Sequence, residues 1–150
     1  MSPTHPSNQG VTMPVTQINM FAVLVAGISA FALGALWYSP VAFGKAWAAA
    51  HGYSKENLVE LQQTAGRAYA VSFLTYLFMA LVVAILVALT GIATFIQGMW
   101  LGTLLWAGFA FTIGLTGNMF SEKPLATFLI DTGYQLVYLN IMGGILAAWR

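Results

Sequence analysis

Four side chains near the C-terminus are spaced to act together. Asp131, Tyr134, Gln135 and Tyr138 stand at i, i+3, i+4 and i+7, so on a helix they share one face, which Thr127 and Met142 extend. A carboxylate beside an amide and two phenols can hold a proton, bind a cation or anchor a polar network. Asp131 is also the only charged residue well inside an apolar stretch, Leu125 to Trp149, and an acid in hydrocarbon needs a partner. Arg67 is the first candidate and Lys45 the second. Arg67 can reach inward along its apolar stem and offer a bidentate guanidinium. Other chemistry has little to work with. There is no cysteine, and His5 and His51 lie outside the apolar segments, too far apart in sequence to suggest haem or zinc. Glu56, Glu60 and Glu122 fall in loops, with no metal-ligand spacing and no nucleophile beside a base. No catalytic group, metal or cofactor is therefore expected.

The elements that must position these residues follow from composition. Of 150 residues, 59% are hydrophobic and only 6% charged, against about 25% charged in ordinary soluble domains. Such a chain cannot clothe its exterior for water, so its partner is the lipid bilayer. A net charge of +1 leaves no footprint for nucleic acid. The expected fold is all-α, an integral membrane bundle of four transmembrane helices at about 18–39, 69–89, 95–118 and 125–149, after a disordered polar tail at 1–17. Residues 40–68 form the one long loop. Within it Val41–Ala50 suits a short amphipathic helix at the membrane surface, and Ser54 reads as the N-cap of a second one through Leu58 and Leu61.

Four crossings put both termini on one side. Lys45, Lys55, Arg67 and Lys123 fall on the side of loops 1 and 3, and Arg150 alone on the other. The positive-inside rule then places loop 40–68 in the cytoplasm and both termini outside. Asp131 lies about six residues, or ~9 Å, from the centre of its segment, near the cytoplasmic end where Arg67 and Lys45 sit.

Helix association in lipid relies on small residues and polar contacts. Thr103, Ala107, Ala110, Gly114 and Gly117 make one continuous small stripe on the third segment, preceded by Gly98 and Gly102. Ala22, Ala26 and Ser29 mark the first segment, and Ala80, Ala84 and Ala88 the second. On the fourth, Gly133, Asn140 and Ala147, with Gly144, oppose the Asp131 face. Packing within one chain is the preferred use of these faces, and a homo-oligomer the other. The fourth segment, with a polar face and a small-residue face, is expected to be the most enclosed.

Further runs are distinctive as sequence: Trp37, Tyr38, Ser39 and Pro40; Phe43, Gly44, Lys45, Ala46 and Trp47; Gly66 to Tyr69; and Phe128–Tyr134 through Ile141–Arg150. Together with Ile18 and Asn19 before a small-rich helix, they resemble the bacterial domain-of-unknown-function 1761 family over about residues 18–150. The resemblance implies a small four-span protein of the bacterial inner membrane and brings no assigned activity. The residues themselves favour a non-enzymatic membrane component with a structural Asp131 polar pair. The alternative is a small proton-coupled transporter or channel, with Asp131 in a cavity lined by Tyr134, Tyr138, Trp106 and Trp37. A membrane enzyme is the weakest of the three.

Overall fold

The computed structural model describes residues 18–149, apart from the side chain of Lys55. The expected polar tail at 1–17 lies outside the described residues. The regular structure is helical: α1 Met20–Trp37, α2 Gly44–Ala50, α3 Lys55–Thr90, α4 Phe95–Leu105, a π-helical segment Trp106–Phe111, α5 Thr112–Phe120 and α6 Leu125–Ala148.

Local chemistry sets most helix boundaries. The Asn19 side chain caps α1, accepting from the N–H groups of Phe21 (3.0 Å) and Ala22 (3.1 Å). Ser54 and Asn57 form a reciprocal capping box at the start of α3, and Thr94 with Gln97 does the same for α4. Gly91 ends α3 in the left-handed conformation that glycine adopts without penalty, φ 71°. Pro124 precedes the first residue of α6.

Among the described residues, three runs are long and apolar enough to cross a membrane: Met20–Trp37, Glu56–Thr90 and Phe95–Phe120. Helix α6 has the length, but Asp131, Thr132, Gln135 and Asn140 dilute its hydropathy. It is instead the enclosed helix of the bundle. Eleven of its 24 residues are buried, against five of 18 in α1.

Two helices differ from the expectation. The helix that starts at Ser54 does not stop before segment 2. It runs on as the single 36-residue helix α3, because residues 55–68 contain no proline and Gly66 sits in open space without breaking the turn. At ~1.5 Å per residue α3 is about 54 Å long, well beyond a ~30 Å hydrocarbon core. Segment 3 is also interrupted, by the π segment between α4 and α5. A π turn holds an extra residue, so a stripe counted at 3.6 residues per turn slips out of phase across it. Ala107 and Gly117 are accordingly exposed.

Helix α6 lies antiparallel between α1 and α4. Phe21 meets Trp149 edge to face at one end, ring centroids 5.3 Å apart. The Trp37 indole donates to the Ile130 carbonyl (3.1 Å) at the other. Helices α1 and α3 pair through small residues, with Ala22, Ala26, Ala30, Ala80 and Ala84 all buried. The closest approach is between α4 and α6. A Cβ on Gly98 would overlap the Gly143 carbonyl, and one on Gly102 the Leu139 carbonyl. Thr103 donates to Asn140 Oδ1 (3.0 Å) beside this seam.

Candidate functional site

The site begins where α1 stops. Pro40 cannot continue a helix, and the chain turns sharply through residues 38–43. The Phe43 N–H donates to the Trp37 carbonyl (2.9 Å) and the Gly44 N–H to the Ser39 carbonyl (3.0 Å). Gly44 lies so close to the carbonyls of Tyr38 and Ser39 that a Cβ there would overlap both backbones. The glycine thus lets α2 fold back against the end of α1.

This turn aims two neutral donors at one atom. Tyr38 Oη donates to Asp131 Oδ1 at 2.8 Å, and Trp47 Nε1 donates to the same oxygen at 3.0 Å. Both are charge-assisted hydrogen bonds to a carboxylate in a half-buried position. The donors support each other, ring centroids 5.7 Å apart and edge to face. Trp47 is further held by the rings of His51 (4.0 Å) and Tyr53 (5.7 Å). Trp37 packs against Phe43, ring centroids 4.5 Å apart and tilted, while its indole reaches Ile130. The run from Trp37 to Trp47 is therefore one device that docks on the first turns of α6. His51, outside the apolar segments, is a half-buried part of it.

The expected ion pair gives way to this arrangement. Arg67 and Lys45 are exposed, and the hydrogen bonds of Asp131 go to Tyr38 and Trp47. Directed neutral donors hold Oδ1 of the carboxylate without a second charge being desolvated. Tyr38 and Trp47 stood out in the sequence as members of a motif, but not as partners of Asp131. The usable signal was their position: two aromatic donors in a loop on the same side of the bundle as the acid.

Tyr134 and Tyr138 share the face of Asp131 but serve the core. The Tyr134 hydroxyl donates to the Ala30 carbonyl (2.8 Å), in a space left open by Gly34. Tyr76, Tyr134 and Tyr138 pack as a cluster, with Tyr76–Tyr138 at 5.3 Å and Tyr134–Tyr138 at 4.9 Å. Both α6 tyrosines are buried, so the region expected to be an aromatic-lined cavity is filled. Trp106 is engaged as well, its indole donating to the carbonyl (2.8 Å) and near the hydroxyl (3.1 Å) of Thr132.

A cavity of about 300 Å³ does exist, on the other flank of Asp131. Thr127, Phe128, Asp131, Thr132 and Gln135 of α6 line one wall. Gly114, Gly117, Asn118, Ser121 and Lys123, from α5 and the following turn, line the other. Asn118 is buried and donates to the Lys123 carbonyl (3.1 Å), which fixes the turn. Two of these residues each carry a side-chain oxygen, Thr127 Oγ1 and Gln135 Oε1, that is enclosed by protein and has no hydrogen-bond partner among the described residues. Of the residues singled out in the sequence, the structure thus brings Asp131 and Gln135 together at the cavity. It brings Asp131, Tyr38 and Trp47 together at the docking device. Arg67 and Lys45 join neither through a hydrogen bond to Asp131.

Comparison with known proteins agrees with the sequence resemblance. No curated protein and no solved structure matches the chain. A family model described as "Protein of unknown function (DUF1761)" matches residues 21–147, from the start of α1 almost to the end of α6, with the whole site inside the match. The chain belongs to the DUF1761 family.

Proposed function

We propose that this protein is a non-enzymatic, four-span component of the bacterial plasma membrane in which Asp131 fastens the loop-1 device to the central helix. The observation that carries this reading is the convergence of Tyr38 Oη and Trp47 Nε1 on Asp131 Oδ1. An acid with two dedicated neutral donors, at the end of its helix, suits a structural joint. The fourth span is α6, whose polar side chains are tolerable in a membrane because three apolar runs surround them. Loops 1 and 3 carry four of the five basic residues, which supports a cytoplasmic position for the device and for the overhanging start of α3. The small-residue faces of α1, α3, α4 and α6 are used within the chain. That favours a lipid-facing exterior over a homo-oligomer.

Stability in detergent tests the joint. Tyr38→Phe and Trp47→Phe each remove one donor to a carboxylate and should lower stability by ~1.5–3 kcal/mol. Asp131→Ala should lower it at least as much, and each pair with Asp131→Ala should be non-additive by more than ~0.5 kcal/mol. Additive losses throughout would remove the joint from the account.

One observation favours the second reading, a small proton-coupled transporter or channel: Asp131 also lines the cavity. Vesicles carrying the reconstituted protein and a pH-sensitive dye separate the two. Under the structural reading Asp131→Asn, which keeps an acceptor for Tyr38 and Trp47, leaves proton flux as in the wild type. A flux that this substitution abolishes would make Asp131 a carrier of protons.

A further inference from the structure

We infer that the turns after α1 and after α5 form a seat for anionic phospholipid. Val41 and Phe120 enter the acyl boundary, and Lys45 and Lys123 hold headgroup phosphates. The inference rests on the membrane-spanning reading of the bundle. Its first observation is exposure. Val41 is 91% exposed and Phe120 88%, the two most exposed large apolar side chains among the described residues. They belong to different connections on one side of the bundle, after α1 and at the end of α5. Phe43, Met119 and Leu125 near them in sequence are exposed as well. Large apolar side chains left in water lose the free energy of burial, and grouped at element ends they mark a membrane or partner surface.

Depth and charge decide what covers them. Helix α1 is level with Trp149 at Phe21 and with Ile130 at Trp37. Between those levels it rises about 24 Å, less than a hydrocarbon core of ~30 Å. Helix α6 runs on past Ile130 to Leu125. The chain that leaves α1 therefore turns at the edge of the hydrocarbon, and the bonds of Tyr38 and Trp47 to Asp131 keep it there. The sequence suits that depth. Helix α2 reads GKAWAAA, with Lys45 its one charge. The exposed Lys45 can lay its stem along apolar surface and lift its ammonium to the phosphates. Lys123 is exposed on the other turn, which the Asn118 bond to its carbonyl fixes. Each lysine follows an exposed apolar side chain within a few residues, Lys45 after Val41 and Lys123 after Phe120. An apolar anchor beside a cation is how interfacial segments bind anionic lipid. Arg67, exposed on α3, adds a third cation on that side, and Glu122 is the acid on the second turn. Glu56 and Glu60 stand on the overhang of α3, away from the lipid.

The chain has no cysteine, so single cysteines report without background. The test places the full chain in nanodiscs, with a fluorophore on Val41→Cys, Phe120→Cys, Ile113→Cys or Glu60→Cys and acyl-brominated lipid as the quencher. Ile113 is exposed on the wall of α5 and Glu60 on the overhang of α3. The labels at Val41 and Phe120 should be quenched as the one at Ile113 is, and the label at Glu60 should not. No quenching at Ile113 would overturn the membrane span and the seat with it. Quenching at Ile113 without quenching at both Val41 and Phe120 would overturn the seat and leave the span. The second arm compares brominated phosphatidylglycerol with brominated phosphatidylcholine at the same two labels. The anionic lipid should be preferred about fivefold at each, the worth of one lysine near a lipid surface. Lys45→Gln should abolish the preference at Val41, Lys123→Gln the preference at Phe120, and high salt should weaken both. Equal affinity for the two lipids, or a preference that survives both substitutions, would overturn the proposal. So would loss of the preference in millimolar inorganic phosphate, which would identify a site for a soluble anion.

Discussion

Helix α6 meets the run 95–120 in two ways that differ within about five turns. Against α4 the contact is closed. Glycines 98 and 102 bring backbone onto backbone at Gly143 and Leu139, and the nearby polar pair, Thr103 and Asn140, is satisfied. Against α5 the contact is open. Glycines 114 and 117 face a cavity, and two polar atoms of α6 have no partner among the described residues. The residue types are nearly the same on both sides, small side chains from one helix and a mixed face from the other. Both pairs of glycines face α6, because the extra residue of the π segment Trp106–Phe111 offsets the phase difference between them; what separates them is the neighbour each meets, backbone at Gly98 and Gly102, and at Gly114 only the ring of Phe128. A small residue is thus a close-packing device only where a neighbour's backbone meets it. Elsewhere it makes room.

The largest expected effect breaks the closed side. Gly102→Leu places a branched side chain where even a Cβ would overlap the Leu139 carbonyl, so α4 and α6 must separate. The loss should be about 3 kcal/mol or more, at the upper end of overpacking costs. Chemical denaturation in mixed micelles, followed by tryptophan fluorescence, would show it. The matching change on the open side, Gly117→Ala, meets nothing within 4 Å. It should be neutral or stabilising by up to ~1 kcal/mol through helix propensity alone. Equal losses at the two positions would mean that the open side is packed after all, and the contrast would collapse.

The sequence made the elements legible and the joints much less so. Apolar length, the Ser54 cap and the residues that end α3 and precede α6 are local signals, and they survive in the structure. The enclosure of α6 was legible too, because a helix carrying Asp131, Gln135 and Asn140 has no suitable lipid-facing side. The partner of Asp131 was not. Coulombic reasoning ranks Arg67 and Lys45 first because charge is visible in a sequence. The turn that delivers Tyr38 and Trp47 depends on Gly44 packing against two carbonyls, a steric fact with no signature in composition. The π segment was hidden for a similar reason. A period of 3.6 was assumed across Trp106–Phe111, and no proline marks the irregularity.

The smallest expected effect sharpens the contrast from the open side. If Arg67 bridged to Asp131, that end of α6 would be neutralised by the protein itself and the cavity would have no charge to answer. The structure instead leaves Arg67 exposed on the overhanging part of α3, and gives Asp131 two neutral donors. Arg67→Gln should therefore change stability by no more than ~0.5 kcal/mol, as at other surface positions. Combined with Asp131→Asn it should be additive within ~0.5 kcal/mol, the behaviour of sites that share no partner. The same cycle run with Tyr38→Phe in place of Arg67→Gln supplies the internal standard, because the amide that replaces the carboxylate keeps an acceptor but no charge, and the Tyr38 bond weakens with it. Coupling at Arg67 as large as that at Tyr38 would restore the ion pair and close the open side. Coupling at Tyr38 alone leaves an acid held by neutral donors on the open side of α6.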